Sequence, residues 1–472
     1  MERFFRKYGS RLQPLYERMP VPLQNVFTTA RGWVLSRNRY HPKMYAYREE
    51  LHSHDSWSAA QVRAYQLLAL RDAVEKARRA PLYATYPAFR WDSLDCIRKL
   101  PILGREQIRE DSSTLVSSTT PEKHIVRVRT TGTTGASLEV GYTREEMRAL
   151  WALRIRQRDW IGIAPRDWRI TLFGSRVISP HRHEPPFWTY NLTEHQILVS
   201  IFHFSVKTAD AYIRFFNHQK GLVLEGFPSV LGIVADLLLE RGTTVPMRAV
   251  FTDGEPLYPF LREKIEKAFE TKVYDTYGNT EMCGLIQQCE RDRMHLIPEC
   301  AYLEILNDKN EPAAPGEEGD FVWTTLMPRV MPLVRYRIGD RGSWEEGPCE
   351  CGRAFPLVRP GITRESDLLR CPDGRIFSPR ALNQLLKRAV SLRFCQFVQS
   401  APDRVVVRGV ASDRTRASAE LADVSNALQL LLGRGIGVSS ELADQPIMRA
   451  GGKMPLIVRY QGAIETSDRA AA

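Results

Sequence analysis

Residues Arg129-Thr130-Thr131-Gly132-Thr133-Thr134-Gly135-Ala136-Ser137 form a hydroxyl- and glycine-rich run between two segments that read as β-strands. Glycines let a backbone bend tightly and approach a ligand, while threonine hydroxyls and exposed N–H groups supply donors for an anion. The chemistry this suits is the holding of phosphate. It is not the loop of kinases and GTPases, because the G-x-x-x-x-G-K-[ST] spacing is absent and no lysine follows the second glycine. Further downstream, in order, come Asp253-Gly254-Glu255-Pro256, Asp275-Thr276-Tyr277-Gly278-Asn279-Thr280-Glu281, Arg335-Tyr336-Arg337-Ile338-Gly339-Asp340, Thr363-Arg364-Glu365-Ser366-Asp367 and Gly451-Gly452-Lys453.

That series resembles the adenylate-forming ligases, the superfamily of acyl-CoA synthetases, luciferase and peptide-synthetase adenylation domains, from about residue 125 to the C-terminus. Within it the chain is most similar to the phenylacetate-CoA ligase branch, including relatives associated with capsular polysaccharide synthesis. Cys289, His295 and Cys349-Glu350-Cys351-Gly352-Arg353 carry that narrower match. Two positions depart from the usual pattern: Thr131 in the phosphate loop and Ser366 before Asp367, where paired aspartates are usual.

The resemblance implies activation of a carboxylic acid by ATP, in which the acid's oxygen attacks the α-phosphorus and pyrophosphate leaves. Charge builds on phosphoryl oxygens, so such a site needs cationic and N–H donors and a divalent metal. By resemblance, Thr130, Thr131, Gly132, Thr133, Thr134 and Gly135 cradle the phosphates, and Glu281 ligates Mg²⁺, a hard cation that prefers carboxylate oxygen. Asp340 would grip both ribose hydroxyls, a task suited to a carboxylate that accepts two hydrogen bonds. Tyr277 would stack on adenine near Asp275 and Gly278, with Gly254, Glu255 and Pro256 on the other side and Arg364 close by. Lys453 would sit on a mobile domain and reach the carboxylate and α-phosphate during adenylation, excluding water. Ser366 and Asp367 would be the hinge. Read alone, Asp340 is equally a turn-capping aspartate and Lys453 a solvated lysine.

Cys289, His295, Cys349 and Cys351 offer three thiolates and an imidazole, the closed tetrahedral set of structural rather than catalytic zinc. Cys283 or Cys300 could replace one of them, and buried free cysteines beside a loop histidine are the alternative; the resemblance favours zinc. Cys96, Cys371 and Cys395 have no evident partner and are expected as small apolar fillers.

These residues need a scaffold. A chain of 472 residues exceeds what one hydrophobic core usually serves, and its apolar content of 43% is that of a globular enzyme. No run approaches the roughly 18 uninterrupted apolar residues that cross a bilayer. Arg3, Arg6, Lys7, Pro14, Arg18 and Pro20 interrupt what a signal peptide would need, so a cytoplasmic protein is expected, with the inner membrane surface as a possible peripheral site. The formal net charge of +11 is mostly dispersed arginine, which points to anionic small molecules and to no specific nucleic acid. In the first forty residues basic side chains, Arg31 among them, alternate with Leu23, Val26, Phe27, Trp33 and Leu35. That pattern suits helices on a membrane surface and helices packed on the main domain equally.

The pattern reads as helical up to about residue 123, with apolar positions at helical spacing over 58–80 and Pro81 as the stop. Strands are expected at 137–142, 168–173, 222–224, 248–252 and 272–274, and helices near 206–219, 230–241 and 260–269. A Thr143-Arg144-Glu145-Glu146 capping box opens the helix after the first strand. Strand and helix alternate, so an α/β fold with parallel or mixed sheets, largely parallel, is predicted, its ligands beyond the C-terminal strand ends. Strands at 302–306 and 320–326 around a turn at 307–319 predict a smaller β-subdomain. A helix near 379–390, a strand at 404–410 and a helix at 414–432 predict a small α+β C-terminal domain. The divisions are 1–123 helical, 124–363 adenylation core with the β-subdomain, 364–367 hinge and 368–472 small domain.

The leading expectation is an AMP-forming acid-CoA ligase using ATP, Mg²⁺, coenzyme A and structural zinc. Transfer of the acyl group to an amine, which the resemblance to the capsule-associated relatives would place in polysaccharide synthesis, is the alternative. A non-catalytic homologue that binds membrane or partner is opposed by the joint presence of Glu281, Asp340 and Lys453.

Overall fold

Short runs at 169–172, 223–226 and 249–253 are buried nearly throughout, and such runs belong to a sheet covered on both faces, while the run at 273–278 is only part-buried. In the computed structural model, which describes residues 15–129, 139–174, 177–179, 182–205, 207–364, 367–377, 379, 382, 384–386, 389, 391–411, 413–449 and 453–459, they form the centre of a ten-stranded sheet. Gln196–Val199, Arg169–Leu172, Val223–Gly226, Ala249–Asp253 and Val273–Gly278 lie side by side and parallel. Antiparallel strands close both margins: Trp188–Asn191 at one, and Leu285–Gln288, Met294–Leu296, Leu357–Val358 and Trp344–Glu345 at the other. The expected parallel sheet is therefore the core of a mixed one.

Helices Ala209–Asn217, Pro228–Glu240 and Pro259–Phe269 pack on this sheet through one core that includes Leu224, Leu231, Val250, Ile265 and Val273. A second core joins the N-terminal helices Pro42–His54 and Ala59–Ala77 to a four-stranded antiparallel sheet of Ala301–Leu306, Gly319–Thr325, Tyr336–Gly342 and Thr363–Arg364. Ser58 caps the second helix reciprocally with Gln61, and the helix ends before Pro81.

Thr143 caps helix Arg144–Trp160 by accepting from Glu146 N. The carboxylate of Glu146, expected to complete a local box, is drawn into tertiary structure instead: it accepts from Val330 N at 2.8 Å beside Arg329. A buried charge needs a cationic neighbour more than a helix end needs a second cap.

A third core gathers residues 369–457. There Gly437–Ala443, Arg404–Val410, Phe394–Ala401 and Ile457–Arg459 form a four-stranded sheet under helix Arg414–Leu432. The helix expected at 379–390 is described only in part, with a single 3-10 turn at Gln384–Leu386. Phe394 and Met454 from this last unit pack into the core of the large sheet.

The helix Val21–Arg39 covers the strand Trp188–Asn191. Asn25 Oδ1 accepts from Tyr190 N at 2.9 Å and Thr29 Oγ1 from Leu192 N at 3.2 Å, so side chains of the helix satisfy an exposed sheet edge. Gly32 permits the approach, since a Cβ there would stand 2.1 Å from Asn191 Oδ1. Its inward residues include Gln24, Thr28 and Ser36, while Leu23, Val26 and Trp33 face outward. Among the described residues no helix is long and apolar enough to cross a membrane.

Candidate active site

The parallel strands deliver their C-terminal ends to one cavity of about 1170 Å³. Phe227, Asp253-Gly254-Glu255-Pro256 and residues 275–281 line it, together with Asp340, Arg364 and Lys453. This is the position where open α/β sheets bind ligands. The phosphate loop Thr130, Thr131, Gly132, Thr133, Thr134 and Gly135 lies outside the described residues, as do Ser366 and Gly451-Gly452; the strands Val126–Arg129 and Glu139–Tyr142 that flank the loop pair antiparallel.

Asp340 is buried near the end of strand Tyr336–Gly342, directly across the ladder from Arg364. Arg364 Nε donates to Asp340 Oδ1 at 2.9 Å, and the Tyr277 hydroxyl donates to Oδ2 at 2.6 Å. Each carboxylate oxygen accepts from one side-chain donor and, as a two-lone-pair acceptor, has capacity for a second. The Tyr277 ring stacks on Trp323 at 6.1 Å and meets Phe321 edge-on. Burial, then the neighbouring Asp340 charge, holds its phenol well above the ordinary tyrosine range.

Glu281 is buried at the turn after strand Val273–Gly278, where the next residue, Met282, takes a left-handed conformation (φ 47°). The Tyr336 hydroxyl donates to Glu281 Oε1 at 3.3 Å, and Arg329 holds the backbone carbonyls of Glu281 and Met282 at 3.2 and 2.8 Å. Its carboxylate fits a hard divalent cation in donor type. Asp275 accepts from Thr252 Oγ1 at 2.7 Å, and burial pushes its pKa up to about 6.

Glu255 is committed to protein contacts. Its carboxylate accepts from Ser229 Oγ at 2.6 Å and from Met454 N at 2.7 Å. Gly254 takes φ 82°, and a Cβ there would lie 3.0 Å from the Phe227 ring and 3.3 Å from Lys453 Nζ. Glycine is thus required both for the turn and for the approach of the lysine. Burial, followed by repulsion from Arg364, lowers the Lys453 pKa, with Glu255, Asp253 and Asp340 partly opposing. Asp367 pairs with Arg449 at 2.8 Å, and Arg449 N donates to the Lys453 carbonyl at 2.8 Å.

Cys289, His295, Cys349 and Cys351 meet, their ligand atoms all within 4.8 Å of one another, and Cys283 and Cys300 stand outside that set. Cys289 Sγ and Cys349 Sγ are 3.6 Å apart, and Cys351 Sγ lies 3.4 Å from His295 Nε2. Neither is a disulfide distance, and both approach the edges of roughly 3.8 and 3.6 Å that a zinc tetrahedron built from ordinary Zn–S and Zn–N bonds would have. Burial lowers the His295 pKa to about 4, which keeps the imidazole in its ligating neutral form. The donor set therefore fits zinc.

One part of the cavity was not anticipated from the sequence. Arg154 and Arg158, one turn apart on helix Arg144–Trp160, line it with Arg169 from the adjoining strand, and all three engage carboxylates. Arg158 and Arg169 flank Glu225; burial alone would raise that carboxyl, and the two guanidiniums instead hold its pKa down to about 2. The i, i+4 arginine spacing was visible in the chain, but helical spacing does not tell a solvated face from a buried one.

The fold is that of the adenylate-forming CoA ligases. It superposes on 2-hydroxyisobutyryl-CoA ligase in the postadenylation state with R3-HIB-AMP at a TM-score of 0.68, with 20% identity over 88% of this chain and 93% of that one. Against the same enzyme with 2-HIB-AMP and CoA in the thioesterification state, at 19% identity over 89% and 94%, the score is 0.54. In sequence the chain is similar to Protein CapK of Staphylococcus aureus, 22% identical over 366 residues, 76% of this chain and 79% of the relative. It is also 25% identical over 378 residues to the phenylacetate-coenzyme A ligase of Pseudomonas putida, covering 74% and 80%. No family model matches the chain.

Proposed function

We propose that the protein activates a carboxylic acid with ATP as an acyl-adenylate and transfers the acyl group to coenzyme A. The observation that carries this reading is the convergence of Lys453, Asp340, Tyr277 and Glu281, from sequence positions far apart, on one cavity at the C-terminal ends of parallel strands. Asp340 is assigned to the ribose hydroxyls and Tyr277 to the adenine, with the phosphates on the loop 130–135. Lys453 neutralises charge where the carboxylate oxygen bonds to the α-phosphorus and pyrophosphate departs. Glu281 would hold Mg²⁺, which supplies electrostatic stabilisation of the phosphates when bound. Cys289, His295, Cys349 and Cys351 would hold a structural zinc.

Residues 368–472 are proposed as the mobile unit, turning about 364–367 so that Lys453 leaves and the thiol enters. The better superposition on the postadenylation state is in keeping with a lysine docked in the cleft. The outward Leu23, Val26 and Trp33, flanked by Arg18 and Arg37, are proposed as a peripheral contact with anionic bilayers, tested by vesicle cosedimentation.

The deciding experiment is acid-dependent ATP–pyrophosphate exchange across aryl, fatty and amino acids, followed by addition of coenzyme A or of amines. Exchange followed by thiol-dependent release of AMP supports the reading. Exchange with release triggered only by an amine would replace the acceptor, and no exchange with any acid would overturn the activity.

A further inference from the structure

The residues that helix Val21–Arg39 turns toward the cavity are Phe27, Thr28, Arg31, Leu35, Asn38 and Arg39. Their spacing is one helical face. The sheet order separates the strand beneath this helix from the strand of Tyr277 by five steps, on the order of 24 Å at ordinary strand spacing. The helix therefore closes the end of the cavity opposite the nucleotide residues.

The stretch of cavity from strand Ala249–Asp253 to this helix is rich in positive charge. Arg154 is paired with Asp253 at 2.6 Å, Arg158 with Glu225, and Arg169 with both Glu225 and Glu194 at 3.2 and 3.0 Å. Arg39 takes a share of the same Glu194 at 3.2 Å. Three carboxylates thus already serve four guanidiniums. Arg31, the fifth, has no carboxylate within ion-pair distance and no hydrogen bond among the described residues. Arg31 is exposed, and desolvation by the surrounding protein, then repulsion from Arg39, lowers its pKa.

Arg31 lines the cavity beside other cations, and an anion entering there would relieve their mutual repulsion. A guanidinium left in that state is a ready partner for a carboxylate or phosphate, which it holds in a two-pronged charge-assisted grip.

We infer that this end of the cavity receives a second anionic group of the substrate, so that the acid activated here carries a carboxylate or phosphate-like group at its far end, with Arg31 as the specificity-determining contact. The inference rests on the proposed acid activation for the identity of the reacting end and on Arg31 for the other.

The test compares matched acids in pyrophosphate exchange: α,ω-diacids from adipate to dodecanedioate, the ω-phosphonates of the same lengths, and the uncharged monoacids. The wild type is expected to favour a dianionic acid of one length over its monoacid, the carboxylate and phosphonate arms separating the two anions. Arg31→Gln should reduce that preference, read as the ratio of kcat/KM values, roughly 10- to 100-fold through KM. Arg31→Lys should recover part of it. Because Arg31 makes no hydrogen bond or ion pair among the described residues, the melting temperature of Arg31→Gln should stay near that of the wild type.

Calorimetric titration of the same acids into wild type and Arg31→Gln reads binding without turnover. Tighter binding of the dianion that disappears in Arg31→Gln supports the inference even if exchange is absent, in which case the proposed activity falls and the anion site stands. Equal handling of monoacid and dianion by wild type, or a preference unchanged by Arg31→Gln, overturns it.

Discussion

Glu255 accepts the backbone N–H of Met454 at 2.7 Å, a contact across 199 positions that ties the turn after one parallel strand to the residue following Lys453. The carboxylate is anchored from behind by Ser229 Oγ and Ser229 N at 2.6 and 3.2 Å, so it is a fixed post rather than a mobile one. The lysine is placed through the backbone of its neighbour. On the proposed mechanism, the same bond would have to break before the lysine could leave.

Glu255→Ala is therefore expected to slow pyrophosphate exchange about 10- to 100-fold, since a misplacement of about 1 Å at a reacting centre costs that much. Thioester formation from supplied acyl-adenylate should be affected far less. Limited proteolysis should cut sooner near 364–367 in the variant. Equal loss of both half-reactions would show that Glu255 acts on the fold rather than on the docked lysine.

Lys453→Ala should lower exchange by roughly 100-fold or more, the usual size of one electrostatic contact to a transition state. ATP affinity, measured by fluorescence or calorimetry, should change little. Exchange at the wild-type rate would remove the lysine from the chemistry.

The pH dependence has a definite sign. Burial and Arg364 lower the Lys453 pKa in the unliganded protein, and in the proposed mechanism the active form is the protonated one. Raising the pH through the lowered value discharges the ammonium, so kcat/KM should fall on an alkaline limb that begins below the ordinary lysine range. Stability runs the other way: a folded pKa below the unfolded one means that docking the charged lysine is unfavourable at low pH, and this cost fades as pH rises through the folded pKa. Lys453→Arg, which keeps its charge, should move the limb to higher pH in a kcat/KM profile from pH 7 to about 10.5.

Asp340→Asn should raise the KM for ATP roughly 10- to 100-fold, because charge-assisted hydrogen bonds to the ribose become neutral and one oxygen is lost as an acceptor. Tyr277→Phe keeps the ring and removes the hydroxyl that donates to Asp340. It should change the KM by less than Asp340→Asn does, and the reverse order would assign nucleotide affinity to the tyrosine hydroxyl.

Protein purified without added metal should carry about one zinc per chain, released on denaturation into a colorimetric chelator. Cys349→Ser should abolish it and lower the melting temperature, since Cys289 and His295 come from the antiparallel margin of the large sheet and Cys349 and Cys351 from the loop that precedes its strand Leu357–Val358. Full zinc content in Cys349→Ser would remove that residue from the ligand set.

The chain by itself determined the order of chemistry-bearing motifs, the alternation of strand and helix, and the elements whose ends carry local signals. Helix Arg414–Leu432 begins and ends where its spacing predicts, and strand Arg404–Val410 likewise. Period and punctuation act over a few residues, and those are written in the chain. Other features required the folded molecule. Glu146 reads as one half of a local capping box, yet Val330 and Arg329 claim its carboxylate from 184 positions away. By residue type Cys283 or Cys300 could have replaced one of the metal set, and it is the fold that gathers Cys289, His295, Cys349 and Cys351 within 4.8 Å of one another. Arg31 reads as one basic residue among many in a basic segment; the nesting of Gly32 against Asn191 brings its helix to the cavity, and the pairing of its four neighbours leaves it without a carboxylate among the described residues. Residue type and local spacing fix what a side chain can do, whereas burial and long-range partners decide what remains for it to do.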